Sequence, residues 1–296
     1  MILTTIFKRI LLASLCVLLL GAGPGSNPPP PPSIPNTEPD IEEATNSSLD
    51  EEAGLELPPD QSVQPGADSI DPTQGQVDQA HGFYAHGALA NFSKFDLEGE
   101  GFMKLFVPRD RGYATYDLTQ VVMMAAAQLH HDYPGGERIQ IGDVCAKNGG
   151  KLALHASHQN GLDADIVYPR LNHHEQDPQS IAGYDETFVQ NGKISPNFDE
   201  ERVWAFIKTV YSTGRLVRIF MDPVIKATLC EYSQKIGEYN SQAELLRRIR
   251  PLPLHKNHMH VRISCPQKSL SCIRQSDPTV GTGCADILPT PVKQLF

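Results

Sequence analysis

Two segments of the chain carry apolar residues at the spacing of an amphipathic helix. In residues 116–136, YDLTQVVMMAAAQLHHDYPGG, the apolar positions follow a period of three and four: Leu118, Val121, Val122, Ala125 and Leu129. We expect an N-cap at Asp117, with a glutamine three residues later, and an end at the Pro-Gly pair 134–135. The segment FDEERVWAFIKTVYSTG repeats the pattern and predicts a second helix from Asp199 to a stop at Gly214.

Four shorter segments alternate or run apolar as strands do: ERIQIGDVC (137–145), LDADIVY (162–168), RLVRIFMD (215–222) and HMHVRIS (258–264). Polar residues on one strand face and apolar residues on the other are typical of an antiparallel sheet with one packed face. We therefore predict an α+β domain, with an antiparallel sheet and helices packed on one side of it.

The first 22 residues have the order of regions found in a secretory signal peptide. Lys8 and Arg9 precede an apolar run from Ile10 to about Leu20, and small residues follow it. An uncleaved membrane anchor is the alternative, but the run is shorter than the roughly 20 apolar residues that span a bilayer. We expect export and cleavage near Ala22, with membrane contact only through this segment.

Residues 23–80 differ in composition from the rest of the chain. They are rich in proline and carboxylates and poor in aromatic residues, so they cannot bury enough apolar surface to offset the entropy of ordering. We interpret them as a disordered acidic linker. Removing the 12 acids between Glu38 and Asp78, with the two bases of the signal segment, leaves 23 residues of each sign. The remaining domain, residues 81–296, is near neutral, which argues against nucleic acid as a partner.

Four cysteines lie in the last third of the chain: Cys230, Cys265, Cys272 and Cys284. In an exported domain they predict disulfides, although the sequence leaves their pairing open. A zinc ribbon would require two close cysteine pairs, and only one is present. Cys145 is left as a predicted free thiol without the local signature of a catalytic nucleophile.

The stretch HASHQNGLDADIVY, residues 155–168, carries the first half of a candidate metal site. If its second half is a strand, Asp163 and Asp165 point to one face and the apolar residues beside them to the other. Gly161 permits a turn just before that strand, so His158 is expected to fold back towards Asp165.

The segment HKNHMHVRI, residues 255–263, supplies the second half. His258 and His260 are two apart in a predicted strand and therefore share a face. Taken alone, each motif is more often ordinary surface or core polarity than a metal site. Together, two imidazoles and a carboxylate suit a catalytic zinc ion with a fourth position open to water.

These motifs resemble those of a known family. HASHQNGLDADI, followed further along the chain by RPLPLHKNHMHVRISCP, is similar to the pattern of the penicillin-insensitive murein endopeptidases. That family belongs to the wider group of lysostaphin-like, D-Ala-D-Ala-peptidase and hedgehog-type (LAS) zinc domains. The likeness extends through GFYAHGAL, RIFMDPVIKATLC and GCADIL, so it covers most of residues 81–296.

The resemblance implies a periplasmic zinc peptidase that uses no catalytic serine and hydrolyses D-alanyl-meso-diaminopimelyl cross-links in peptidoglycan. It implies one zinc ion per chain, with His158, Asp165 and His260 as ligands. His258 would act as general base or stabilise the transition state, with His255 assisting it.

Two more residues would lie close to the metal. His155 would orient a ligand or serve a second metal. Asp163 would orient a histidine or a substrate amine, although it also fits as simple strand polarity.

Two departures from the family pattern limit what the resemblance carries over. Where family members can have Asp-Gly-Lys-His, this chain reads NGKI at 191–194, so a second metal is not predicted. The family's early cysteine and its late partner are both absent. The resemblance then implies the disulfides Cys230–Cys284 and Cys265–Cys272.

Two other functions are compatible with the sequence. A zinc carboxypeptidase or dipeptidase acting on D-Ala-D-Ala ends would use nearly the same ligands, whereas a non-catalytic wall-binding module would keep only the fold. Retention of all four central residues argues against the module: His158, Asp165, His258 and His260. The sequence is compatible with an oligomer.

Overall fold

The computed structural model of the protein describes residues 79–287. The predicted signal peptide, the predicted linker up to residue 78 and residues 288–296 lie outside the described residues. The strands are β1 (Ala80–Phe83), β2 (His86–Leu89), β3 (Ser93–Lys94), β4 (Glu98–Gly99), β5 (Phe102–Lys104), β6 (Tyr113–Ala114), β7 (Ile139–Ile141), β8 (Asp163–Val167), β9 (Val189–Gln190), β10 (Lys193–Ile194), β11 (Leu216–Met221), β12 (Ile249–Pro251) and β13 (His258–Ile263). The α-helices are α1 (Tyr116–Asp132), α2 (Glu200–Ser212), α3 (Pro223–Lys235) and α4 (Ala243–Arg248). Within residues 79–287, no helix combines the length and the apolar character needed to cross a membrane.

Seven strands form the main sheet, in the order β12-β11-β13-β8-β7-β5-β4. The fold is α+β, as predicted, but the sheet is mixed rather than purely antiparallel. The pairs β5–β7 and β11–β12 are parallel, and the other four pairs are antiparallel. Helix α1 lies in the connection between β5 and β7, and α3 and α4 lie between β11 and β12. A helical crossover returns the chain in the same direction, which makes the joined strands parallel.

The central strands β8 and β13 have one apolar face. Ala164, Ile166, Met259, Val261 and Ile263 are completely buried and share one hydrophobic cluster with residues of α1 and α2. Burying a side chain the size of Val261, Ile166 or Met259 stabilises the fold by roughly 1.5–3 kcal/mol. This packing fixes which face of each strand looks into the core, so the alternate, polar residues are turned to the opposite face.

Helix α1 begins two residues before the predicted position. Its N-cap is Thr115, whose hydroxyl accepts the Leu118 N–H at 3.3 Å, so the prediction of Asp117 as N-cap is wrong. Asp117 lies instead in the first turn, where its carboxylate faces the positive end of the helix dipole and pairs with Arg215. The N-cap of α2 is Asp199, so this helix begins where the sequence predicted.

Two disulfides close loops in the C-terminal part of the domain. They join Cys230 to Cys284, across 54 residues, and Cys265 to Cys272, across 7 residues. Both pairs implied by the family resemblance are confirmed. The first disulfide ties α3 to the end of the described chain.

Candidate metal centre

The polar face of β8 and β13 carries the predicted site residues. The two strands pair antiparallel, with Asp165 opposite His260 and Val167 opposite His258. Since alternate residues of a strand point to the same side, Asp163 shares this face. The register therefore brings two carboxylates beside two imidazoles.

His158 reaches the same face from the loop before β8. The backbone turns through positive φ at His158 (+64°) and at Gly161 (+73°), and the His158 N–H donates to Oδ2 of Asp163 at 3.1 Å. Nδ1 of His158 lies 2.6 Å from the carbonyl oxygen of Val144, so this nitrogen carries the proton and Nε2 presents its lone pair to the site. Nε2 lies 3.1 Å from Oδ1 of Asp165, which confirms the predicted fold-back.

Three side-chain atoms converge at the centre of this face. Nε2 of His158 is 3.1 Å from Oδ1 of Asp165 and 3.2 Å from Nδ1 of His260, and the last two atoms are 3.8 Å apart. Ligands at about 2.0–2.1 Å from a tetrahedral zinc ion lie roughly 3.3 Å from one another. Both carboxylate oxygens of Asp165 are buried and have no hydrogen-bond partner within residues 79–287. The spacing and the unsatisfied carboxylate fit a cation held by these three residues.

Asp163 orients His260 for this arrangement. Its Oδ1 lies 3.0 Å from Nε2 of His260, so this edge of the ring faces Asp163 and Nδ1 is turned towards the centre. The same oxygen is 2.8 Å from Nε of Arg262, so the buried carboxylate faces a buried guanidinium. Asp163 thus connects the ring orientation at the centre to an ion pair beneath it.

A second set of three residues shares this centre. Potential ligand atoms of His155, His158 and Asp165 all lie within 4.8 Å of one another. However, Nε2 of His155 is 3.1 Å from Oδ2 of Asp143, and its Nδ1 is 3.8 Å from Oδ2 of Asp165. The three atoms of the set that contains His260 lie 3.1–3.8 Å apart, closer together than the 4.8 Å of the set that contains His155, so the former fits a single ion better.

The two remaining predicted histidines lie at the edge of the centre. Nε2 of His258 is 3.5 Å from Oδ1 of Asp165, and its Nδ1 is 2.6 Å from the side-chain oxygen of Asn257. The ring of His255 is 5.2 Å from that of His258, and its Nδ1 is 3.0 Å from the Pro253 carbonyl oxygen. The structure therefore brings every sequence-predicted site residue into one cluster.

Several neighbours of the centre were not found by the sequence reasoning. Asp143 holds His155 and is itself bound by Arg109 at 3.1 Å and Arg111 at 2.9 Å. These three residues are far from the motifs, and no local pattern indicates them. The sequence did contain a signal for Arg262, because this residue continues the two-residue spacing of His258 and His260 along β13 and therefore shares their face.

Tyr184 is a further neighbour without a sequence signal. Its ring stacks on that of His258, with centroids 4.7 Å apart and planes 23° apart. Burial, together with the negative charges of Asp165 and Asp143, raises the pKa of the phenol well above its usual value, so the hydroxyl keeps its proton.

The histidines of the site differ in their protonation states. Burial lowers the pKa of His258 to about 3 and that of His260 to about 4, so both rings are neutral at neutral pH. Burial acts in the same direction on His158, but the Asp165 carboxylate outweighs it and raises the pKa to about 9. Neutral imidazole is the form that binds a metal, and a bound cation would take the place of the extra proton on His158.

Two other predicted features lie apart from this chemistry. Cys145 is a free, buried cysteine whose pKa is raised by burial to about 12, so it does not form the thiolate that a nucleophile needs. The second feature is the NGKI segment at 191–194. Its first two residues, Asn191 and Gly192, have φ values of +50° and +70° and form the two-residue turn between β9 and β10. That conformation is typical of an Asn-Gly hairpin turn.

Comparison with known proteins identifies the family. The family model described as penicillin-insensitive murein endopeptidase matches residues 80–294. Penicillin-insensitive murein endopeptidases from Pectobacterium atrosepticum and Yersinia pestis are each 30% identical to this chain over 209 residues, or 70% of its length. These matches cover 72% and 73% of the two relatives. A relative of the same name from Klebsiella pneumoniae is 30% identical over 213 residues, 70% of this chain and 73% of its own. The chain therefore belongs to the penicillin-insensitive murein endopeptidase family.

Proposed function

We propose that the chain is a zinc-dependent murein endopeptidase that hydrolyses D-alanyl-meso-diaminopimelyl cross-links of peptidoglycan in the periplasm. The observation that carries this proposal is the convergence of His158 Nε2, Asp165 Oδ1 and His260 Nδ1 within 3.1–3.8 Å. Membership of the family and the names of the relatives support murein as the substrate. We further propose that the domain has the LAS zinc-peptidase fold and that residues 1–22 direct its export.

In this proposal, His158, Asp165 and His260 hold one zinc ion per chain. When bound, the ion supplies a Lewis acid that polarises a carbonyl and activates water at neutral pH. With three donors from the protein, the ion would remain open to water or substrate, as a catalytic zinc ion is. The hydrogen bond of His158 to Val144 and the contact of His260 with Asp163 hold the two rings so that His158 Nε2 and His260 Nδ1 face the same point.

His258 is the proposed general base. If its Nδ1–H donates to the Asn257 side chain, Nε2 faces the centre with a free lone pair. From there it is placed to accept a proton from the attacking water and to pass it to the leaving amine. Once protonated, the ring also opposes negative charge on the scissile oxygen. His255 lies next to it and is proposed to assist.

The test combines metal content with product analysis on the purified protein. The variant is His260→Ala, and the matched control is His131→Ala, an exposed histidine at the end of α1. We expect one zinc ion per chain and conversion of cross-linked dimer muropeptides to monomers. Both should be lost in His260→Ala and kept in His131→Ala.

Other outcomes distinguish the alternatives. Loss of terminal alanine only, with the dimers intact, would favour a D-Ala-D-Ala carboxypeptidase or dipeptidase. Bound zinc without cleavage of any muropeptide would favour a non-catalytic wall-binding module. Full zinc content in His260→Ala would exclude His260 as a ligand and favour the set that contains His155.

A further inference from the structure

Tyr184 is held rigidly at the edge of the metal centre although it comes from the loop between β8 and β9. Its ring stacks on His258 at 4.7 Å and meets Phe106 edge-on at 5.0 Å. The guanidinium of Arg109 lies over the ring of Phe106, 3.9 Å from its centroid. Aromatic and cation-π contacts of this kind fix a ring at little entropic cost. The direction of the phenol is therefore set by packing.

The hydroxyl of Tyr184 lies beside Asp165 because Gly142 makes room for it. A Cβ added to Gly142 would stand 2.2 Å from Oη of Tyr184 and 3.3 Å from Cβ of Asp165. The Gly142 N–H donates to the Asp165 carbonyl oxygen at 2.8 Å, so the two backbones are also in contact. A side chain at position 142 would separate the phenol from the carboxylate.

The Asp165 carboxylate is a hydrogen-bond acceptor and the Tyr184 hydroxyl is a hydrogen-bond donor. Both oxygens of Asp165 are buried without a hydrogen-bond partner among the described residues, and a buried acceptor left unsatisfied is costly. One metal ion occupies one oxygen of a monodentate carboxylate and leaves the other in need of a donor. The phenol of Tyr184 keeps its proton beside this carboxylate, and hydrogen bonding with Asp165 is one of the causes that raise its pKa.

We propose that Tyr184 is a positioning residue of the metal centre, whose hydroxyl donates to the Asp165 oxygen that does not bind the metal while its ring holds His258. This inference rests on the proposed function, because it takes Asp165 as a ligand. Hydrogen bonds that orient a ligating carboxylate typically change metal affinity or activity by 10–100-fold when they are removed.

The test measures zinc affinity on the full chain by competition with a chelator of known affinity. Tyr184→Phe removes the hydroxyl and keeps the ring on His258. The matched control is Tyr133→Phe, which removes a phenol that donates to a carboxylate elsewhere, Glu201, at 3.2 Å. We expect the zinc dissociation constant to rise tenfold to a hundredfold in Tyr184→Phe and to stay unchanged in Tyr133→Phe. The denaturation midpoint of the zinc-free Tyr184→Phe protein should match that of the wild type.

The outcomes separate this inference from the function on which it rests. If the wild type binds zinc and Tyr184→Phe binds it equally well, the positioning role is overturned, even if peptidase activity falls. If zinc affinity and zinc-free stability fall together, the hydroxyl acts through folding and the inference is also overturned. If the wild type binds no zinc, the proposed function itself fails.

Discussion

The ion pair beneath the metal centre gives the most demanding prediction. Asp163→Asn keeps the shape of the side chain and one acceptor oxygen but removes its negative charge. In the wild type this carboxylate lies 2.8 Å from Nε and 3.3 Å from Nη2 of Arg262, and it accepts the His158 N–H at 3.1 Å. The substitution therefore tests whether a buried charge pair supports both the fold and the site.

The expected effect follows from burial. Asp163 and Arg262 are both removed from solvent, so loss of one charge leaves the desolvation penalty of the other uncompensated. Removing one partner of a buried pair costs about 3–5 kcal/mol. For a domain of this size 1 kcal/mol corresponds to roughly 2–4 °C, so Tm should fall by about 6–20 °C.

Urea denaturation followed by circular dichroism, in the presence of a zinc chelator, measures this cost without any contribution from the metal. The matched control is Asp110→Asn, whose carboxylate lies 2.7 Å from Nζ of Lys94 with the two side chains 61% and 47% exposed. Exposed pairs contribute about 0–1 kcal/mol. If the two variants lose the same unfolding free energy, the argument from burial is refuted.

Four further predictions use the same measurements. Zinc at 100 times its dissociation constant should add about 2.7 kcal/mol to the unfolding free energy of the wild type. It should add nothing to that of His260→Ala; equal zinc-induced shifts in thermal melts of the two proteins would contradict the ligand set. Leu154→Gly should raise stability in urea by about 0.5–1 kcal/mol, because glycine relieves a left-handed backbone. Leu154 has a φ of +72° and is 74% exposed, so little buried area is lost, and a lower midpoint would argue against this reasoning. Replacing Cys230 and Cys284 by alanine should cost about 4 kcal/mol, and removing the disulfide of the seven-residue loop about 2 kcal/mol, since loop-closure entropy grows with loop length. The reverse order in urea would show that chain entropy does not govern these bonds. Burial lowers the pKa of Lys226 to about 8, so between that pH and about 10.5 the unfolded chain binds more protons and wild-type stability rises with pH. Lys226→Met should therefore stabilise the protein at pH 7 by on the order of 1–3 kcal/mol, with a gain that shrinks as the pH approaches 10; a gain independent of pH would refute the buried-charge explanation.

The secondary structure near the site was largely readable from local patterns. The alternation in LDADIVY and HMHVRIS predicted β8 and β13, and both strands run where expected. Helix α3 was missed, although Asp222 caps it and Pro223 occupies its first turn. The apolar run of β11 leads into it almost without a break, and periodicity alone does not separate two adjoining elements.

The pairing of strands that are distant along the chain was harder to predict from the sequence. The alternation of polar and apolar residues suggested an antiparallel sheet, whereas two of the six pairs are parallel because helical crossovers join those strands. The disulfides illustrate the same limit. Four cysteines allow three pairings, and the correct one came from the family resemblance rather than from the residues themselves.

By itself, the sequence determined which functional side chains share a face of each strand. The two-residue period of a strand places Asp163 with Asp165 and His258 with His260, and Gly161 permits the turn that returns His158. These consequences follow from covalent geometry over a few residues, so no knowledge of the rest of the fold is needed.

Only the tertiary structure decided which of these groups meet. The β8–β13 register sets His260 against Asp165, and packing of the core face fixes that register, because a shift of one residue would expose the apolar side chains. Asp143, in a predicted strand segment, and Tyr184, in a loop, reach the centre although no local pattern marks either of them as a site residue. Their positions depend on the free energy of the whole packed core, which the order of nearby residues does not encode.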